Sequence, residues 1–319
     1  MKEGADVLSD LVVCYLFLGG TGAGLCLVLS VLGLLVPRSC LSTLPGVHLH
    51  PSAAYRKLLG SGLVAAFVLL ALGIVCLVAD LGNAERMILL LVHPTASYLA
   101  VGSWALAACL ALAAALGLAW LGVGVWNVAL VRVVHVVAGL ASLVVMVYTG
   151  LLLQSLGAVP LWATPWLPAL FAASSLSCGI ACALALAQIT GAASAFGAVL
   201  GRLAAVDAAV IVVEAAIVAV FVYAASQAGA PLSNGTELAA AQSVRELVAG
   251  RNAQLFWGCF VVLGLAVPFA LDVVLALRRR PLPGVVLFAS ACVLVGGFVM
   301  RFCVVAAGAH PVLSSMGVM

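Results

Sequence analysis

The feature that most constrains this chain is a series of long apolar segments without a charged residue. Leu58–Val78 and Leu282–Met300 are two examples, and each is close to the roughly 20 residues with which an α-helix crosses the hydrocarbon core of a bilayer. Backbone polar groups in lipid must be satisfied within the segment, so these runs predict membrane-spanning helices and exclude open strands. Only 7% of the residues are charged, whereas soluble domains carry roughly a quarter.

Polar and proline-containing breaks divide the chain into eight predicted helices within a single polytopic membrane domain, residues 1–319. Pro37 with Arg38, and the run Arg278–Pro281, are breaks that cannot continue an apolar helix. The predicted helices are Leu11–Val36, Leu58–Leu81, Ala96–Trp120, Val128–Gln154, Pro168–Thr190, Leu203–Ser226, Gln254–Leu277 and Leu282–Ala307. The expected fold class is an all-α integral membrane protein with about eight transmembrane helices.

The distribution of Lys and Arg predicts the orientation of these helices. Basic residues cluster in or beside the odd-numbered loops: Arg38, Arg56, Lys57, Arg132, Arg202, Arg278, Arg279 and Arg280. Cytoplasmic loops carry the excess of Lys and Arg in membrane proteins. We therefore expect the odd-numbered loops in the cytoplasm and both termini on the extracytoplasmic side.

Ionisable side chains within the predicted spans are costly to bury in a bilayer and usually functional. Asp207 and Glu214 share a helix face, and the seven residues between them separate their depths by about 10 Å. Two interpretations stay open. A protonatable path runs from the cytoplasm toward the outer face, or interior ion pairs, such as Arg132 with Asp207, only stabilise helix packing. The residues of the path would be Glu214, Asp207, His135 and Asp272.

Haem and metal centres are not expected in this chain. Membrane-bound b-type haem is commonly held between two histidines, but only His135 of the five histidines lies inside a predicted span, and His93 belongs to the opposite membrane half. Cys178 and Cys182 are one helical turn apart, yet no second cysteine pair or nearby histidine completes a metal site. If the chain handles electrons, we expect it to use a diffusible carrier.

Glycines are concentrated in the first helix, at Gly19, Gly20, Gly22 and Gly24. Small residues four apart allow two helices to pack closely in a membrane. The alternative interpretation is that this bare backbone borders a flat ligand.

Four segments from the first helix to the last carry a family resemblance: YLFLGGTGAG (Tyr15–Gly24), DLGNAERMILLLVHPTASYLAVGSW (Asp80–Trp104), YTGLLLQSLGAVPLWATPWLPALFAASSLSCG (Tyr148–Gly179) and MRFCVVAAG (Met300–Gly308). Their order and helix placement resemble the NrfD/PsrC family, the membrane subunits of polysulfide reductase and related molybdoenzyme complexes. More distantly, the sequence is similar to the anchor subunit of dimethyl sulfoxide reductase.

The resemblance implies an NrfD/PsrC-like helical bundle that acts as the quinol-oxidising or quinone-reducing subunit of an oxidoreductase complex. Such a subunit is multi-pass in the inner (cytoplasmic) membrane, within the lipid bilayer, and contains no haem or metal. It exchanges electrons between menaquinol, or another exchangeable quinone, and a ferredoxin-like iron–sulfur subunit. That subunit feeds a molybdopterin catalytic subunit. Both partners are expected on the extracytoplasmic side, and no nucleic acid is involved.

In the family the quinone pocket lies near the outer face. A quinone headgroup is flat and apolar and has two carbonyl acceptors, so it needs an apolar slot, a donor and a proton acceptor. Tyr148 and His93 are the candidate donor and acceptor, with Asp80 and Arg86 setting their charge. The neighbouring first-helix candidates are Tyr15, Gly19 and Gly20. The residues expected to face a partner subunit are Pro160, Trp162, Trp166 and Arg301.

Two rival functions remain. A secondary transporter would use Glu214, Asp207 and Arg301 as a substrate site near the bilayer midplane. Transporters often consist of two similar halves, and the absence of a convincing internal sequence repeat counts against this hypothesis. A purely structural membrane anchor is the other alternative.

Overall fold

The fold is seen in a computed structural model that describes residues 10–37, 48–81, 98–155, 161–227, 243–250, 252–277 and 282–308. Eight helices in these ranges are long and apolar enough to cross a membrane. The predicted all-α class and the predicted number of spans are therefore confirmed for the described residues. Three candidate site residues, Arg86, His93 and Pro160, lie outside them.

The eight spans are numbered α1 to α8 in chain order, and two of them contain π-helical turns. They are α1 (Asp10–Leu35), α2 (Ala53–Tyr55, the π-helical turn Arg56–Gly60 and Ser61–Leu81), α3 (Tyr98–Leu121), α4 (Val128–Ser155), α5 (Trp166–Ile189), α6 (Ala193–Gln227), α7 (the π-helical segment Leu255–Ala266 and Val267–Leu277) and α8 (Pro283–Gly308). A short helical segment, residues 243–249, precedes α7.

The largest difference from the predicted boundaries is at the start of α6, which begins at Ala193 and not at Leu203. Arg202 marked a break in the sequence, but its exposed side chain lies within the helix. The early part of α6 is kinked at Phe196, whose φ is −119° and ψ is 22°. The tight turn before α6 depends on Gly191, whose φ of +71° is readily adopted only by glycine.

The eight helices form two halves with the same arrangement. In the first half, α1 packs on α2, α2 on α3, α3 on α4, and α4 returns to α1; α5 to α8 form a second ring in the same order. The halves meet mainly where α5 packs against α1 and α4. Of the spans, α1 and α5 are the most deeply buried, as expected for the helices that join the two rings.

The contact between α1 and α5 brings two backbones together. A Cβ atom added at Gly24 would overlap the Ser175 carbonyl group, and one added at Gly179 would overlap the backbone of Gly24. A Cβ atom at Gly20 would lie 2.5 Å from the Ser175 hydroxyl oxygen. Gly20 and Gly24 thus allow close packing, which is the small-residue interface that their spacing predicts.

We predict that Gly24→Ala lowers the thermal stability of the purified protein, because its methyl group would separate α1 from α5. Overpacking of this kind costs about 1–3 kcal/mol. Gly201→Ala is the matched control, since no atom lies within 4 Å of the position its Cβ would occupy. Melting curves in detergent should show a loss for Gly24→Ala alone, and equal melting temperatures for both variants would contradict the assigned contact.

Candidate functional site

Two tyrosines lie together on the side of the bundle where α1 begins, termed here the N-terminal face. Tyr15 is near the start of α1 and Tyr148 is near the end of α4, and both are buried. Their hydroxyl groups are close enough to interact with each other. Neither hydroxyl, however, makes a hydrogen bond of good geometry to a described residue. The pair therefore has hydrogen-bonding capacity to offer a further group.

Glycines of three helices create the space for these tyrosines. The ring of Tyr148 occupies the position that a side chain on Gly102 of α3 would fill. Gly19 lies beside the Tyr15 ring, where its added Cβ would be 3.6 Å from the nearest ring carbon. Gly73 of α2 in turn packs on the backbone of Gly19. Sequence reasoning missed Gly102 and Gly73, since each is a single glycine in an otherwise apolar helix.

The two hydroxyls suit a ligand with a hydrogen-bond acceptor. A buried hydroxyl without a partner costs about 1–3 kcal/mol, and an acceptor oxygen placed between Tyr15 and Tyr148 would recover that energy. The surroundings are otherwise apolar, which favours a flat apolar headgroup. Asp80 lies near the end of α2 on the same face and is partly buried, so the predicted neighbours Tyr15, Gly19, Tyr148 and Asp80 share one end of the first half.

A second polar group lies in the middle of the bundle, around Arg301 of α8. One terminal nitrogen of Arg301 donates to the Gly297 carbonyl at 2.8 Å and to the Ser174 hydroxyl at 3.3 Å, and the other donates to the Ser175 hydroxyl at 2.8 Å. The guanidinium also lies over the rings of Phe17 and Phe171, at 5.7 Å and 5.4 Å from their centres. These contacts link α8 to both α1 and α5.

Glu214 of α6 interacts with this group. Its carboxylate reaches the Ser174 hydroxyl and attracts the Arg301 guanidinium electrostatically. Both ionisable side chains are buried, and opposite charges that share hydrogen-bonding partners reduce each other's cost of burial. Gly20 is also part of this region, because its added Cβ would lie 3.0 Å from an Arg301 nitrogen. Of the glycines expected to border a ligand, Gly20 therefore faces arginine.

The structure corrects two of the expected partner-facing residues. Arg301 and Trp162 are each 0% exposed, so neither side chain is available to another subunit. The Trp162 indole donates to the Val304 carbonyl at 3.0 Å and occupies the space beside Gly308. Trp162 therefore fastens the segment before α5 to the end of α8. Trp166, at the start of α5, is 40% exposed and stays a candidate for partner contact.

Two carboxyl groups, Asp207 of α6 and Asp272 of α7, form a third polar group. The Ser177 hydroxyl donates to Asp207 at 2.8 Å, and Asp207 and Asp272 interact directly. The expected ion pair of Arg132 with Asp207 is not formed. Arg132 instead donates to the Val36 carbonyl of α1 at 3.1 Å. The pairing that was expected to be structural is thus replaced by two adjacent acids.

His135 lies in the other half of the bundle, apart from these acids. Its ring fills the space beside Gly33 of α1, and the Trp120 indole donates to its Nε2 atom at 2.8 Å. Because Nε2 accepts this hydrogen bond, the neutral ring carries its proton on Nδ1. Nδ1 is buried and has no partner among the described residues. Of the four predicted path residues, the structure groups Asp207 and Asp272, places Glu214 further along α6, and separates His135.

The serines of α5 are functional candidates that sequence reasoning missed. Ser174, Ser175 and Ser177 are buried, and together they contact the arginine and two of the carboxyl groups. Hydroxyl side chains commonly link helices inside a membrane. Three serines within four residues of an apolar span were the available signal.

Within the described ranges, no group of three or more His, Cys, Asp and Glu residues is placed to hold a metal ion. Comparison with known proteins gives two matches. The sequence is 33% identical over 164 residues to the C subunit of polysulfide reductase from Wolinella succinogenes, an alignment that covers 51% of this protein and 50% of that one. The match thus spans about half the length of this relative. The family described as "Polysulphide reductase, NrfD" matches residues 7–312. The protein therefore belongs to the NrfD family of polysulphide reductase membrane proteins.

Proposed function

We propose that this protein is the quinone-reactive membrane subunit of a molybdoenzyme complex, and that it binds the quinone headgroup between Tyr15 and Tyr148. The observation that carries the proposal is the pair of buried tyrosine hydroxyls that lack a good hydrogen-bond acceptor among the described residues. A quinone offers the missing group, since its carbonyl oxygens accept hydrogen bonds and its flat ring suits an apolar slot.

Oxidation of a quinol releases two electrons and two protons. The electrons pass one at a time to an iron–sulfur partner, and the protons need acceptors near the quinone oxygens. His93 is proposed as the first acceptor, with Asp80 and Arg86 setting the local charge. The tyrosine hydroxyls hold the oxygen atoms in place while the proton leaves. Menaquinol is the proposed substrate within the quinone class.

The acids of the second half are proposed to move protons between the bilayer interior and the cytoplasm. Asp207 and Asp272 stand next to each other, and Glu214 lies seven residues further along α6, about 10 Å deeper. Two adjacent carboxyls share a proton readily, because both cannot be charged at low cost in an apolar interior. His135 lies in the other half and would serve a separate branch of the path.

The assembly is proposed to include a ferredoxin-like iron–sulfur subunit and a molybdopterin catalytic subunit on the extracytoplasmic side. The relative is named as one lettered component of polysulfide reductase, which supports a complex of several polypeptides. The distribution of Lys and Arg supports an extracytoplasmic N-terminal face in the cytoplasmic membrane. Exposed Trp166 and the neighbouring Pro160 are the proposed contact region. Membership of the NrfD family favours this redox role over a secondary transporter.

We predict that Tyr148→Phe and Tyr15→Phe each weaken quinol use by the assembled complex. Each change deletes one hydrogen bond to a carbonyl oxygen, worth about 1 kcal/mol and thus several-fold in affinity. The measurement is KM for a soluble menaquinol analogue in isolated membranes. Tyr223→Phe is the matched control because that ring is 65% exposed on α6. If Tyr148→Phe and Tyr223→Phe gave the same KM as the unaltered protein, the pocket would lie elsewhere.

We predict that Glu214→Gln slows quinol-driven electron transfer, or its coupling to the membrane potential, while the complex still assembles. Glutamine keeps a hydrogen-bonding oxygen for Ser174 but cannot carry the proton, and loss of an acid–base group costs on the order of 100-fold. Turnover is measured per assembled complex, together with membrane potential in vesicles.

The alternative, a structural ion pair with Arg301, predicts the opposite pattern for Glu214→Gln. An unpaired buried arginine would be strongly destabilising, so assembly would fall while turnover per remaining complex stayed unchanged. That pattern would contradict the proton path. Ser226→Ala serves as the matched control on the same helix, since the Ser226 hydroxyl bonds only to the preceding turn at Tyr223.

A further inference from the structure

A groove between the two halves opens on the side of the bundle opposite the N-terminal face. It has a volume of about 750 Å³ and is lined by α1 and α2 of the first half and by α5 and α6 of the second. Its walls are almost entirely aliphatic, with the aromatic residues Tyr55 and Phe196 packed together, their ring centres 5.0 Å apart. Arg202 is the one charged residue among those that line the groove.

The groove results from the way α1 and α5 cross. Their backbones touch at Gly24 and Gly179, and the groove walls begin directly beyond this contact, at Leu27 on α1 and at Ile180 on α5. Larger side chains follow the glycines on both helices, so the two halves diverge toward this side. The stripe on α6 that completes the wall recurs every three or four residues, at Phe196, Val199, Arg202, Leu203 and Val206, as one face of a helix does.

Several groove residues face the surrounding bilayer. Val31 is 47% exposed, Val206 is 50% exposed and Leu35 is 72% exposed. Arg202 is exposed as well and makes no hydrogen bond or ion pair to another described residue. An apolar cleft continuous with the membrane, with one unengaged cation at its rim, matches a molecule that has an apolar tail and a negatively charged head.

We propose that this groove binds an anionic phospholipid, with an acyl tail between α1 and α6 and the phosphate on Arg202. Basic pockets between transmembrane helices bind anionic lipid headgroups, and guanidinium groups pair well with phosphate oxygens. Arg56 and Lys57, in the π-helical turn of α2 that follows Tyr55, are exposed and add positive charge at the same end. The lipid fills the space where the halves diverge and thereby stabilises their relative position.

The test compares lipids that differ only in headgroup. The full-length protein, purified in mild detergent, is titrated with phosphatidylglycerol or with phosphatidylcholine of the same acyl composition. Bound lipid is counted by native mass spectrometry and stability is followed by thermal unfolding. One basic residue at a membrane surface contributes about fivefold in binding, so phosphatidylglycerol should be retained about fivefold better.

Two substitutions separate the head from the tail. Arg202→Gln should abolish the headgroup preference, and Val31→Trp should reduce retention of both lipids by filling the groove. The matched controls are Arg245→Gln, an exposed arginine on the segment 243–249, and Val137→Trp, a 46% exposed position on α4. Both controls should keep the preference for phosphatidylglycerol.

The proposal fails if the unaltered protein binds both lipids equally, or if Arg202→Gln keeps the full preference. It also fails if an isoprenoid quinone displaces phosphatidylglycerol at equal concentration, which would make the groove a quinone site. The Arg202→Gln result stays decisive if Val31→Trp does not fold. Quinol oxidation should be unchanged in Arg202→Gln, so this test is independent of the proposed function of the tyrosine pair.

Discussion

The near-backbone contact of α1 with α5 at Gly24 and Gly179 determines where the other functional features of the bundle lie. On one side of this crossing, Gly20 approaches Ser175 and Arg301, and Phe17 and Phe171 cover the guanidinium. On the other side the helices diverge and leave the groove. Two halves without direct side-chain interlocking at their crossing can be joined in a membrane because small residues allow close van der Waals packing where no hydrophobic driving force exists.

The polar chemistry is divided between the two halves. The first half holds the tyrosine hydroxyls on the N-terminal face, and the second half holds the carboxyl groups of Asp207, Glu214 and Asp272. Arg301 stands at the junction, bonded to the serines of α5 and attracted to Glu214. A change of charge at a substrate bound beside Tyr15 would therefore be felt by the acids through this fixed positive charge. That arrangement offers a physical route for coupling quinol oxidation to proton movement.

The number of helices and their approximate positions follow from the sequence, because uncharged runs of about 20 residues have few alternatives in lipid. Tyr15, Tyr148 and Glu214 were also found, since polar side chains are conspicuous in such runs. Which face of each helix points inward was much harder to predict. Helices that are apolar all round carry no amphipathic pattern, so Trp162 and Arg301 were expected at a partner surface and are buried. Arg132 and Asp207 were paired for the same reason, and each has other partners.

The most direct test of the central claim is to locate a bound quinone by photo-crosslinking. A menaquinone analogue carrying a photoreactive group on its ring is irradiated with the intact complex in native membranes, and the labelled peptides are identified by mass spectrometry. The account predicts labelling of the start of α1 around Tyr15 and of the end of α4 around Tyr148, and excess unlabelled menaquinone should suppress it. Suppressible labelling confined to the groove residues of α1 and α6, such as Val31 and Val206, would contradict the account.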